Sequence, residues 1–449
     1  MSPTALTQAQ GVLTVRLAAG VTLRTEDFGA IAYVGERDDF FALDQAYAGV
    51  VRRAAGARGG GVRGAAVQSA TVGGVAVRGA AGSGAAMTGA DSQRARLLAS
   101  LGICMTDPAT PERPHLGRSL VGDFIGLPTL SRPLVVNCFS TAHCPLSCGY
   151  CHADDLMIPF RASEPQTAER PPGERRPGER RASAVAVART ASLVPAMVGV
   201  VTGGDPIVVP DRAIWLIERL AARKRIVVDT SGVGDIEPLL PALVRHRAHV
   251  RVSLDSADAA VNDRARPVNP RYVPRGTSAF ASAHATLRRL REAGVPCSVQ
   301  TVVGRHNQDL DQLRALCDHL VTAGVRNWVL HVAVPAGKAA RHPGLLPDAG
   351  ALDRLRALVT ECVEGGMPID VRVTGTHRSA NAVLLVDTAG RLCVERPDRA
   401  GKQVIWRPEE AADPGEVARR YRRHVDLVGH ASRYLNGTLE AVPQRVLAA

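Results

Sequence analysis

Cys144-Pro145-Leu146-Ser147-Cys148-Gly149-Tyr150-Cys151 decides how the rest of the chain is read. Three thiols with three and then two residues between them, on one tight loop just after an apolar run, can converge on a single metal centre. The loop supplies three ligands and stops. An iron-sulfur cube has four irons, so three thiolates leave one iron open to a ligand that is not protein. A zinc knot completed by Cys138, His143 or His152 is the competing reading. Structural zinc sites usually present ligands as two separated pairs, and no partner pair lies elsewhere in the sequence.

At this loop the chain resembles the radical S-adenosylmethionine (SAM) superfamily, whose cysteines have the same spacing and very often an aromatic before the last one, as Tyr150 is here. The resemblance implies one 4Fe-4S cluster on Cys144, Cys148 and Cys151. It implies SAM on the open iron, reductively cleaved to a 5′-deoxyadenosyl radical, with Tyr150 packing on adenine.

Around the loop, apolar β-branched runs at 133–138, 197–202, 226–229, 250–254, 297–303 and 328–334 alternate with helical patterns. Examples of the latter are 212–223 behind Asp211, 278–293 ended by Gly294, and 309–323 ended by Gly324. Near-continuous apolar strands with amphipathic crossovers indicate an α/β chain with a parallel sheet covered by helices. Six such units match the partial (β/α)6 barrel of the family. Chemistry in such barrels gathers at the carboxyl ends of the strands. The thiol loop follows the first strand. Thr202-Gly203-Gly204-Asp205-Pro206 ends the second and resembles the family's Gly-Gly-Glu-Pro motif, in which the glycine backbone seats the SAM amine; Asp205 stands where Glu is usual. Ser253-Leu254-Asp255, followed by Arg264 and Arg266, ends the fourth. By resemblance Ser253 and Arg266 hold the SAM carboxylate, Arg264 being the close competitor, and Asp255 lines the substrate side or caps the next turn. A guanidinium fork suits a carboxylate. Asn307 reads as the N-cap of a helix starting at Gln308, and His331 as a core histidine.

The flanks divide the chain further. Residues 1–103 read as a small winged-helix-like α+β domain. Its strands are 12–17, 29–34 and 39–43, Asp44 caps a helix, a second helix spans 92–101, and 54–90 is a low-complexity insertion. It resembles the peptide-recognition domain of radical SAM peptide maturases, which takes a precursor's leader as an added strand. Residues 104–132 read as a linker, 133–344 as the barrel with a second low-complexity insertion at 161–181, and 345–449 as an α/β cap. The cap holds a helix at 352–363, a strand at 369–373 and a hairpin turning at Asp387 to Gly390. It resembles the extension that holds auxiliary clusters in such enzymes, reduced to a remnant without its own cluster. Cys393 has only Cys362 within about 50 residues, no cysteine follows it, and Thr374 and Thr376 stand where a ligand is expected.

Composition narrows the class. The net charge is +12, but 52 of the 55 basic residues are Arg, and 52–96 alone carries seven Arg against Asp91. That pattern belongs to a solvated strand rather than a nucleic-acid surface. Nine cysteines, an odd number with three on one loop, do not make a disulfide framework and fit a reducing, cytoplasmic setting. No run of about 18 uncharged apolar residues marks a membrane span. The function expected is radical modification of a ribosomally made precursor peptide, with flavodoxin or ferredoxin as electron donor and no nucleic-acid or membrane partner. A radical SAM enzyme on a small molecule is the first alternative, an inactive peptide-binding scaffold the second.

Overall fold

The computed structural model describes residues 13–56, 77–78, 85–107, 109, 129–156, 177–374, 382–395, 402–410 and 413–439. Most of the two low-complexity segments, and Thr376, lie outside the described residues. The chain divides into two compact units, one of residues 1–34, 39–116 and 437–449, the other of 35–38 and 117–436.

The first unit holds two antiparallel sheets. β1 (Leu13–Leu17) alternates buried and exposed side chains. A strand absent from the sequence reading, β2 (Val21–Glu26), pairs with β3 (Gly29–Val34), which pairs with β4 (Asp39–Asp44). The Asp44 carboxylate accepts from the Ala46 and Tyr47 amides at 2.9 Å and starts α1 (Gln45–Gly56). β5 (Val77–Arg78) borders β2, while β6 (Ala85–Met87) and β7 (Cys104–Asp107) flank β1. Thus residues expected in an insertion and a linker are ladder strands. Between them α2 (Gly89–Ser100) ends at Gly102, whose φ of 71° lets the chain reverse. Val15, Val50, Leu98 and Ile103 close a separate core.

In the second unit each strand lies beside its neighbour in sequence. β8 (Val135–Thr141), β9 (Val198–Gly203), β10 (Arg225–Thr230), β11 (His249–Ser253), β12 (Cys297–Val303), β13 (Asn327–Val332) and β14 (Asp370–Thr374) pair in parallel in that order. An order that never reverses puts every crossover helix on one side, as in a barrel wall and unlike a doubly wound sheet. The helices are α3 (Pro177–Leu193), α4 (Pro210–Ala221), α5 (Leu240–His246), α6 (Ala259–Ala265), α7 (Ala279–Glu292), α8 (Leu310–Thr322) and α9 (Ala351–Glu364). Asp211 falls in the first turn of α4, whose N-cap is Val209, so it does not cap that helix as expected. Ser278 does cap α7, accepting from Ala281.

The segment expected as a cap is largely part of the same sheet. β14 extends one edge, and β15 (Leu384–Val386) pairs in parallel with β8 at the other. β16 (Leu392–Glu395) and β17 (Lys402–Trp406) then follow antiparallel, giving an open ten-stranded sheet. α10 (Pro414–His424) and α11 (Leu427–Tyr434) follow, and His430 of α11 accepts from the Leu134 amide at 2.9 Å. β18 (Leu435–Leu439) borders β4.

Candidate active site

The thiol loop leaves β8 at its carboxyl end and is gripped from several sides. Ser147 donates to the Pro267 carbonyl at 2.8 Å, Asn269 to the Pro145 carbonyl at 2.7 Å, and Leu146 bridges Val268. The Lys338 amide donates to the Cys151 carbonyl at 2.9 Å, and Lys402 Nζ to the His152 carbonyl at 2.9 Å. His143 Nδ1 lies 2.6 Å from the Tyr272 hydroxyl. Gly149 packs closely under Leu345, whose side-chain tip would have to shift to admit a Cβ there. All three thiols are free and half-buried. Cys144 and Cys148 lie against Leu146 and Val233, and Cys151 against Phe139 and Ala153.

Burial dominates the thiol chemistry. It pushes Cys148 up to about 11 despite the nearby Arg266, and raises Cys144 and Cys151 as well. Neutral thiols in an apolar pocket become thiolates when a strongly charged metal centre takes the proton's place. Among the described residues no three His, Cys, Asp or Glu side chains meet around one ion. Thiolates on three separate irons of a cube have no need to.

Gly203 and Gly204 are explained by the same loop. Gly203 has φ 132°, and a Cβ there would stand 2.3 Å from the Thr141 carbonyl oxygen; one on Gly204 would stand 1.9 Å from that of His143. The amides of Gly204 and Asp205 donate to those two carbonyls at 2.7 and 2.8 Å. The glycine pair therefore brings the end of β9 into backbone contact with the thiol loop. Asp205 is not turned toward a ligand. Its carboxylate is buried and accepts from Ile207 N, Thr230 Oγ1, Ser231 N and Ser231 Oγ, tying β9 to β10. Burial raises its pKa, against the lowering effect of those donors.

The other half of the site centres on Asp255, fully buried two residues past β11. Arg266 Nη2 donates to its Oδ1 at 3.0 Å, the Val302 amide donates to Oδ1 at 2.9 Å, and the Tyr150 hydroxyl donates to Oδ2. His306 Nε2 is 3.7 Å from Oδ2. The Asp255 amide donates to Asn262 at 3.0 Å and its carbonyl accepts from Asn307 at 2.8 Å. Burial alone would raise the carboxyl; Arg266 and His306 outweigh it and hold the group well below the usual carboxylate range. Tyr150 thus sits between the Arg266 guanidinium, 5.7 Å from its ring centroid, and the His306 ring, stacked at 5.7 Å and 6°. Arg266 is buried with Nε lacking a hydrogen-bond partner, whereas Arg264 is exposed. Of the two arginines, the buried one lies beside Tyr150 and Asp255. Ser253 is half-buried at the end of β11.

Two sequence expectations change. Asn307 caps no helix: α8 begins at Leu310 behind Asp309, and Asn307 instead joins the Gly304 amide and the Val302 and Asp255 carbonyls. His331 is half-buried and 2.6 Å from Thr374 Oγ1, on the sheet face opposite the helices. His306 and Tyr272 are not legible in the sequence, because a histidine or tyrosine in a loop carries no spacing signal. The residues present fit the cluster and SAM. Three thiols await a charged centre, and a buried guanidinium beside them keeps one N–H uncommitted.

Residues 139–320 match the radical SAM superfamily model. The PqqA peptide cyclase of Gluconobacter oxydans is 27% identical over 254 residues, 55% of this chain and 63% of that protein. The PqqA peptide cyclase of Methylobacterium nodulans is 28% identical over 253 residues, 55% and 60% of the two chains. The chain thus spans less than two thirds of the length of these relatives. The crystal structure of Streptococcus suis SuiB bound to the precursor peptide SuiA has the same fold, with a TM-score of 0.50 at 13% identity over 88% of this chain and 87% of that one. The matched residues begin on β8, contain the thiol loop, the glycine pair, Asp255 and Arg266, and end on α8: residues 139–320 are a radical SAM superfamily domain.

Proposed function

We propose that the chain is a radical SAM enzyme that modifies a ribosomally made precursor peptide. The observation that carries the radical chemistry is the joining of Cys144, Cys148 and Cys151 to the Asp255–Arg266 pair through Tyr150, which lies in the loop and bonds to Asp255. The relatives named PqqA peptide cyclase, and the fold shared with a peptide-bound SuiB, support a peptide substrate. When bound, the cluster and SAM supply a carbon radical able to abstract hydrogen.

The protein's own residues prepare that chemistry. Cys144, Cys148 and Cys151 hold the cluster, and the close packing of Gly203 and Gly204 on the loop fixes the backbone beside it. Asp255 orients the guanidinium of Arg266 toward the SAM carboxylate, with Ser253 as second contact, and fixes the Tyr150 ring for adenine. Asp205 locks the strand ends without touching the cofactor. The N-terminal unit, with its antiparallel sheet, is the candidate leader site by strand addition. Flavodoxin or ferredoxin is the electron donor in a cytoplasmic setting, without nucleic acid or membrane. Among the described residues no helix is long and apolar enough to cross a membrane.

Anaerobic reconstitution with iron and sulfide, followed by SAM, reductant and peptides from short reading frames beside the gene, tests the proposal. The expected result is 5′-deoxyadenosine together with a mass change in one peptide. 5′-Deoxyadenosine with no peptide modified by the active enzyme would favour the small-molecule reading.

A further inference from the structure

One guanidinium in the candidate site has two carboxylates to serve. Arg266 Nη2 donates to Asp255 Oδ1 at 3.0 Å, and the reading above also gives Arg266 the SAM carboxylate. The buried pair is neutral as it stands, so a second carboxylate beside it brings a negative charge that one guanidinium must share. The Val302 amide secures Oδ1 as well, at 2.9 Å, whereas the described residues give Oδ2 one hydrogen bond, from the Tyr150 hydroxyl.

Two buried nitrogens beside this carboxylate lack a hydrogen-bond partner among the described residues, Arg266 Nε and His306 Nε2. A buried donor left unbonded is costly, and in a native site it calls for a reason. His306 Nε2 lies 3.7 Å from Asp255 Oδ2, a distance just longer than a hydrogen bond. An ionised carboxylate only accepts, so the ring nitrogen turned toward it is the one that carries a proton. The ring has little room to turn elsewhere. Its plane lies 6° from that of Tyr150 with centroids 5.7 Å apart, and a Cβ on Gly304 would stand 3.1 Å from Nδ1. The loop is tied down on both sides of it: the Arg305 amide donates to the Leu345 carbonyl at 3.0 Å, and the Asn307 side chain to the Asp255 carbonyl at 2.8 Å. A fixed loop therefore aims an unspent donor at Asp255.

We propose that His306 is a positioning residue for SAM: when the SAM carboxylate engages Arg266, His306 Nε2 closes on Asp255 Oδ2 and takes over part of the charge that Arg266 now balances. Arg266 can then turn a free N–H to the second carboxylate without leaving the first unmatched. This inference rests on the radical SAM reading above and adds a residue that acts on the cofactor through Asp255 and Arg266.

The test uses the full chain, reconstituted, with its cluster verified by absorption. SAM is titrated by calorimetry and by the paramagnetic signal of the reduced cluster. His306→Phe keeps a ring against Tyr150 and removes the nitrogen, whereas His306→Gln returns an N–H donor. His306→Phe is expected to weaken SAM binding about tenfold, the loss of one charge-assisted hydrogen bond. His306→Gln should restore binding to within about threefold of the wild type, and the loss in His306→Phe should fall on KM for SAM rather than on kcat. In an Asp255→Asn background, titrated to millimolar SAM, His306→Phe should have no further effect, because a neutral amide leaves no charge to share. Should His306→Phe fail to melt cooperatively, His306→Leu takes its place with the same expectations. Binding unchanged without the nitrogen, no recovery in His306→Gln, or the same loss persisting beside Asp255→Asn overturns the inference. Cluster-loaded wild-type protein that binds no SAM overturns the radical SAM reading beneath it, whereas SAM binding indifferent to His306 overturns this inference alone.

Discussion

The two faces of the barrel sheet are made by the same strands and read in opposite ways. Toward the helices stand Val136, Val201, Val228, Val252, Leu330 and Val373, nearly all without solvent exposure. Toward the other side stand Asn137, Asp229, Arg251, Gln300, His331 and Arg372. Alternation of one residue separates them. A strand buried on one face by helices is held by packing there, and its other face is released from packing to carry polar groups. The candidate site gathers at the strand ends, where Ser253 and the Asp255 loop emerge.

The sharpest way to break this division is to damage the packed face. Trp328 is fully buried on β13 among the helix-facing residues, its indole donating to Thr301 Oγ1 at 2.8 Å. Trp328→Ala should cost about 3–5 kcal/mol by cavity formation, read as a large fall in melting temperature. At the strand ends, Asp255→Asn removes one partner of a buried ion pair and should cost about 3 kcal/mol while raising KM for SAM. Because the Asp255 carboxyl is held low, its contribution is present above the ordinary carboxylate range and is lost as pH falls through the lowered value. The acid limb of the wild-type stability curve should therefore flatten in Asp255→Asn.

On the released face, burial holds His249 down at about 4, with Ser298 Oγ 2.8 Å from its Nε2. The unfolded chain binds a proton near pH 6.5 that the folded chain refuses. Stability is thus full above that pH and falls between about 6.5 and 4, by up to roughly 3 kcal/mol. His249→Asn should remove that loss, as followed by denaturant melts across the window. Ser278→Ala, deleting the α7 cap, should cost about 1 kcal/mol. Arg264→Gln should change stability by less than about 0.5 kcal/mol and leave KM for SAM unmoved. Arg266→Gln should raise that KM strongly. Equal effects of the two arginine variants would dissolve the distinction between them.

The packed face was legible in the sequence and the released face much less so. Apolar β-branched runs set the strands and their order, and the thiol spacing set the loop. β14 and β15 read as parts of a separate cap because their short runs carry no trace of which edge they join. Asn307 does not cap the helix as expected, and the partners of Asp205 leave no trace in the sequence, because a carboxylate or amide after a strand has the same local signature whether it faces a ligand, a turn or the next strand. Asp205 spends its oxygens on Thr230 and Ser231, 25 and 26 residues away, while Asn307 spends its amide on Asp255, 52 residues away. The alternation that places His331 opposite the core is weak in Trp328-Val329-Leu330-His331, so only the register with Thr374 reveals its surroundings.

Production of 5′-deoxyadenosine from SAM, measured anaerobically with a strong reductant on wild-type protein and on Cys148→Ala, tests most directly whether this loop runs radical chemistry. The account predicts product from the wild type and none from a Cys148→Ala variant that still melts cooperatively. Undiminished product from that variant, or no product from wild-type protein carrying a full complement of iron and sulfide, would contradict it.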